Sequence, residues 1–71
     1  SPAVVRALQR FPEIEELNSV SGPVDYMAVI RCDSHARLDK LLDEIGMLDG
    51  VNHTQTSIVL ARKIDRRRAA G

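Results

Sequence analysis

The spacing of apolar side chains divides this 71-residue chain into five stretches. Val4, Ala7, Leu8 and Phe11 recur at helical intervals with Arg6, Gln9 and Arg10 turned away, which predicts a short helix of about nine residues. Ser1 is placed to cap it and Pro2 to open it, where a missing N–H costs nothing. Pro12 stops it, because the residue before a proline is pushed out of the α region. Residues 14–21 carry Ile14, Leu17 and Val20 next to a Gly-Pro turn, a pattern that favours a strand despite Glu15 and Glu16. Residues 24–32 form the clearest strand: Val24, Tyr26, Ala28 and Ile30 fall on one face, Met27 and Val29 on the other. Both faces are apolar, so both need cover, one from the core and one from a partner. The turn at Gly22 and Pro23 joins these two strands as a hairpin.

Asp33 and Ser34 supply the next N-cap. Leu38, Leu41, Leu42, Ile45 and Leu48 then draw one helical stripe, opposite Asp39, Lys40, Asp43 and Glu44. Asp49 and Gly50 end that helix or begin the turn after it. Over residues 51–63 alternation returns, with Thr54, Thr56, Ile58 and Leu60 against His53, Gln55, Ser57, Val59 and Ala61. The first half of this strand is polar on both faces and the second half apolar, so one end lines something other than core.

Helix, strand, strand, helix, strand is the order of a split βαβ unit lacking its opening strand. The fold class is therefore α+β, ferredoxin-like, with an antiparallel sheet whose first strand is missing from these residues. In that topology the first strand is central, between the third and the fourth, and without it the last strand has no neighbour in the sheet. Sequence upstream of Ser1 is a better source for it than another chain, because an uncovered central edge invites aggregation. Residues 1–64 make one domain and residues 65–71 a basic tail.

Composition narrows the setting. A chain this short buries only roughly 60% of its unfolded surface, and oligomerisation is the remaining route to stability when disulfides and metals are absent. Cys32 is the single cysteine, there is no CxxC, and an unpaired thiol fits a reducing, cytoplasmic compartment. His35 and His53 have no third ligand at a recognisable spacing, so no metal and no cofactor are expected. Cys32 reads as a small apolar packer. Ten basic residues balance ten acidic ones, so no global field draws the chain to nucleic acid or membrane. Arg62, Lys63, Arg66, Arg67 and Arg68 do crowd one end, and are read as a solvated end in preference to a nucleic-acid arm. No apolar stretch approaches the ~20 residues that span a bilayer, and Ser1 and Pro2 do not begin a signal peptide.

Three segments together resemble one family. "SVSGPVDYMAVIRC" resembles the glycine loop and strand of the effector domain of Lrp/AsnC-type transcription regulators. "LLDEIGMLDGVNHTQTSIVLARK" resembles that domain's second helix, turn and final strand, and "FPEIEELNSVSG" its lead-in. The likeness covers about residues 3–64. Asp49 stands where the family usually has proline, and Pro23 with Val24 replaces an acidic-aromatic pair. The family's helix-turn-helix and linker strand are not among these residues, so DNA would be reached only through a helix-turn-helix domain outside this chain. The resemblance implies a domain without enzymatic activity that forms a homodimer and higher oligomers such as an octamer. It implies binding of a small amino acid between subunits near the glycine loop, with a change in assembly. It also admits a stand-alone sensing or assembly domain. Small dimeric ferredoxin-like barrel enzymes share the architecture, but no convergent acid–base set is evident.

By resemblance the effector role falls on Gly22, Asp25, Tyr26, Thr54 and Thr56, with Pro23, Val24, Val51 and Gln55 as further lining. The chemistry is consistent with that assignment. A glycine turn exposes backbone N–H groups suited to a carboxylate, Asp25 can accept from an ammonium group, and the threonines offer hydroxyls. Each residue also has a plainer reading: Gly22 and Asp25 as turn residues, Tyr26 as core, Thr54 and Thr56 as strand formers.

Overall fold

The computed structural model describes residues 2–22 and 25–67. The cap expected at Ser1 and the site positions Pro23 and Val24 lie outside the described residues, as do the last four residues of the basic tail. Two helices and a two-stranded antiparallel sheet follow one another as helix α1 (Pro2–Leu8), strand β1 (Ile14–Ser19), strand β2 (Tyr26–Ile30) and helix α2 (His35–Gly46). These are the elements of an α+β, ferredoxin-like fragment, in the expected order.

Helix α1 is slightly shorter than its apolar period suggests, because its end tightens ahead of Pro12. Gln9 N still donates to Val5 O at 3.0 Å, but Arg10 N turns to Ala7 O and Phe11 N to Leu8 O at 3.3 and 3.1 Å. Such three-residue bonds satisfy the carbonyls that a helix end leaves open. Helix α2 begins as expected. Ser34 is extended, and its Oγ accepts from Arg37 N at 3.1 Å, a capping bond whose loss typically costs about 1 kcal/mol. The helix stops at Gly46, before the apolar stripe does. Met47 N bonds back to Asp43 and Glu44 carbonyls at 3.2 Å, and Leu48 already belongs to the following turn. Gly50 completes that turn at φ +91°, and a methyl group there would stand 2.8 Å from Val4 Cγ2. Glycine is needed at this point for its backbone angle and for the close approach to α1.

Between β1 and β2 the partners run Leu17 with Ala28, Asn18 with Met27 and Ser19 with Tyr26. Cross-strand partners share a face. Leu17, Tyr26 and Ile30 therefore point together and are half-buried, while Met27 and Val29 point the other way, beside Asn18 and Glu16. The two-faced apolar strand expected from the alternation is thus present, and its second face is open: Met27 is 60% exposed. A bulge between Ile14 and Glu16 interrupts the ladder, and the strand regains its register beyond it.

The core is small. Among the described residues Val4, Leu8 and Leu41 are the buried apolar side chains, and of these Leu41 is sealed completely. A long-range polar tie between α2 and the start of β1 supports it. Arg37 grips Glu13 with two bonds, Nε to Oε2 at 2.6 Å and Nη2 to Oε1 at 3.2 Å, which joins the first turn of α2 to the lead-in of β1. The fork geometry suits a carboxylate.

The strand expected over residues 51–63 is not formed: residues 51–67 carry no regular secondary structure, and 52–67 are exposed throughout. A strand exists only through bonds to a neighbour, and in the ferredoxin-like order its neighbour is the central strand missing from these residues. Ile58, Val59, Leu60 and Ile64 are consequently 61 to 95% exposed. The chain presents 6431 Å² of surface, against about 4,400 Å² for a compact monomer of its size.

Candidate ligand-binding site

The hairpin holds the glycine loop by its ends. Val20 N donates to Asp25 O at 3.2 Å, and Ser19 faces Tyr26 in the last rung of the ladder. Gly22 adopts φ +134°, a conformation that side-chain-bearing residues rarely reach. Its missing Cβ has a second consequence. A methyl group on Gly22 would stand 2.8 Å from Asp25 Oδ2, so the carboxylate lies over the glycine in space that only hydrogen leaves open. Asp25 itself is exposed, and the loop offers an anionic group at the surface, at the mouth of β2.

Tyr26 is half-buried and lines a cleft of about 500 Å³ together with Val5 and Leu8 of α1 and Glu16 and Leu17 of β1. The other half of the candidate site lies elsewhere. Val51 and Thr54 line a smaller cleft of about 260 Å³ with Gly46, Asn52 and His53. Neither cleft includes Gly22, Asp25, Gln55 or Thr56, and Thr54, Gln55 and Thr56 are all exposed. Within one chain the structure brings Gly22 against Asp25 and Val51 near Thr54, and it does not bring the two groups into one cavity. Asn52 and His53 join the second group although sequence reasoning did not select them for it; their position between Val51 and Thr54 was the available signal. His35 opens α2 and is exposed, and Cys32 is half-buried just beyond β2. Among the described residues no group of three metal-ligating side chains occurs, and no helix is long and apolar enough to cross a membrane.

Two helices with a two-stranded antiparallel sheet are those of an α+β, ferredoxin-like fragment. The Lrp/AsnC ligand binding domain model matches residues 1–69, and the chain belongs to that family. It is 37% identical over 57 residues to the HTH-type transcriptional regulator FL11 of Pyrococcus furiosus, and 39% identical over 57 residues to FL11 of Pyrococcus horikoshii. Each alignment takes in 80% of this chain and 38% of the relative, so the chain spans well under half the length of the curated relatives it matches. No solved structure matches. The matching family model is that of a ligand-binding domain, and the relatives are transcriptional regulators, not enzymes. The small barrel enzyme considered from architecture alone is set aside on that ground.

Proposed function

We propose that this domain senses a small amino acid at a boundary between subunits and thereby shifts the assembly of a transcriptional regulator. The match of a ligand-binding family model across residues 1–69 carries this reading. The local geometry supports a place for the ligand. Asp25 presents a carboxylate to an ammonium group, and the positive-φ turn at Gly22 presents backbone to a carboxylate. Thr54, Gln55 and Thr56 add hydroxyl and amide groups from an exposed segment, with Val51, Pro23 and Val24 as lining. Because Tyr26 lines one cleft and Val51 and Thr54 another, while Gly22, Asp25, Gln55 and Thr56 line neither, the site needs a neighbouring strand or subunit to close it. The open apolar surface at Met27, Val29, Ile58, Val59 and Leu60 supports association into a homodimer and higher oligomers, since patches of this kind mark interaction surfaces. A cytoplasmic location and DNA contact by the whole regulator follow from the same reading.

The test is a panel of amino acids read by thermal shift and by light scattering. Coupling between ligand and assembly is typically about 1–3 kcal/mol, a change of several-fold or more in the oligomer balance. At least one amino acid should change both melting temperature and size, and Asp25→Ala should abolish both responses. A panel without effect on either quantity overturns the sensing reading. A size change that survives in Asp25→Ala removes Asp25 from the site.

A further inference from the structure

The charge of this chain is segregated. Its last ten residues hold five cations and one carboxylate, while the sixty-one before them hold nine carboxylates and five cations. A chain neutral in total is thus a body of charge −4 carrying an end of charge +4. Four of the five end cations are arginines, Arg62, Arg66, Arg67 and Arg68, whose planar guanidinium binds phosphate oxygens in pairs as lysine does not. Residues 62–67 are exposed and outside any helix or strand. Asp65 gathers two of them: Arg67 Nε and Nη2 each donate to it at 3.0 Å, and Arg62 Nη1 lies at 3.4 Å. The Arg67 bond is the main cause that holds the Asp65 carboxyl down to about 2, so this acid stays charged and keeps its arginines clustered. One carboxylate between two guanidiniums leaves a net positive hub, and no ion pair restrains Lys63 or Arg66 among the described residues.

We propose that residues 62–67 are an electrostatic arm that grips the phosphate backbone of duplex nucleic acid without reading its sequence. A run of this composition has the means for phosphate contact, and residues 62–67 form no helix or β-ribbon to enter a groove and read base edges. A lipid surface is a poorer fit, because Ile64 is the one large apolar side chain in the run and amphipathic anchors need an apolar face. An acidic surface of the chain itself is the rival occupant, since Arg67 also lies within electrostatic reach of Glu15 and Glu16. The proposal rests on the regulator reading only in that it supposes DNA to be nearby.

The full chain is titrated against a fluorescent random-sequence duplex of about 30 base pairs over a range of KCl. The variant is R62Q/K63Q/R66Q/R67Q, and R6Q/R10Q, on exposed positions of and after α1, serves as the control for charge alone. Each phosphate contact contributes about 0.9 to the slope of log affinity on log salt. With two to three contacts the slope of the quadruple variant is shallower by about 1.8–2.7, so the wild type loses roughly 12- to 42-fold more affinity between about 50 and 200 mM salt. The control keeps the wild-type slope. Equal slopes in wild type and quadruple variant, or an equal drop in the control, overturn the arm. So does a quadruple variant that binds duplex as before but changes oligomer size, which assigns the run to an acidic surface of the protein. The thermal response to amino acids in the quadruple variant separates the two readings: DNA grip lost with that response intact supports the arm independently, and an unchanged slope with the response intact sinks the arm alone.

Discussion

Leu41→Ala tests whether the small core described above holds the chain together. Leu41 is fully buried, and truncation of a buried leucine costs about 2–5 kcal/mol, more when the hole cannot collapse. Here the surroundings favour the lower part of that range. Leu38, Leu42 and Ile45 on the same stripe are only half-buried, so neighbouring side chains and water can settle toward the gap, and about 2–3 kcal/mol is expected. A chain of 71 residues has a total stability of roughly 4–11 kcal/mol by the usual per-residue figure, which makes that loss about a fifth of the whole or more. In urea, with a slope near the low end of the usual range at about 1 kcal/mol per M, the midpoint falls by about 2–3 M. Met47→Ala is the control: Met47 is 84% exposed, and its truncation should stay within about 0.5 kcal/mol. Protein concentration is held constant, because association shifts apparent stability by mass action. A Leu41→Ala loss below about 1 kcal/mol, or one equal to that of Met47→Ala, would refute the packing argument.

Two further substitutions probe the ties around that core. Gly50→Ala puts a methyl group 2.8 Å from Val4 Cγ2 at φ +91°, and strain at a positive φ costs about 1–3 kcal/mol; the loss measured by denaturation should shrink in a Val4→Ala background, and an undiminished loss would leave backbone strain as its whole cause. Glu13→Gln removes the carboxylate gripped by Arg37. The Arg37 side-chain bond holds the Glu13 carboxyl below its ordinary value of 4.5, so the folded pKa lies beneath the unfolded one. Its contribution is complete above the unfolded value and disappears as pH falls through the folded one. Wild type should therefore exceed Glu13→Gln in urea midpoint at neutral pH and converge with it in acid, and a pH-independent gap between the two would contradict the assignment.

How much of this was legible in the sequence depended on how local each cause is. The α2 cap is a bond across three residues, and Ser34 before a helical stripe announces it. The hairpin is equally local: a Gly-Pro turn between two apolar runs, with Gly22 at the positive φ that glycine allows. Gly50 was legible as a turn residue, but not its approach to Val4, which brings together residues far apart in the chain. The Glu13–Arg37 fork joins positions 24 apart, and nothing in composition or period marks either residue as the other's partner. Residues 51–63 fail for the opposite reason. Their alternation is genuine strand chemistry, yet a strand's bonds belong to two segments, and the second is not among these residues.

The same missing neighbour bears on the candidate site. In the ferredoxin-like order a strand lying antiparallel to β2 would also give residues 51–63 the partner they lack. That insertion would bring Thr54, Gln55 and Thr56 into the sheet that begins at Tyr26, and would place Ile58 and Leu60 on a common face with covered apolar residues. Such pairing would cover exposed apolar positions and order the last segment at once. The effector assignment of Thr54 and Thr56 consequently stands or falls with sheet completion, whereas that of Gly22 and Asp25 does not, because the hairpin already holds those two residues against each other.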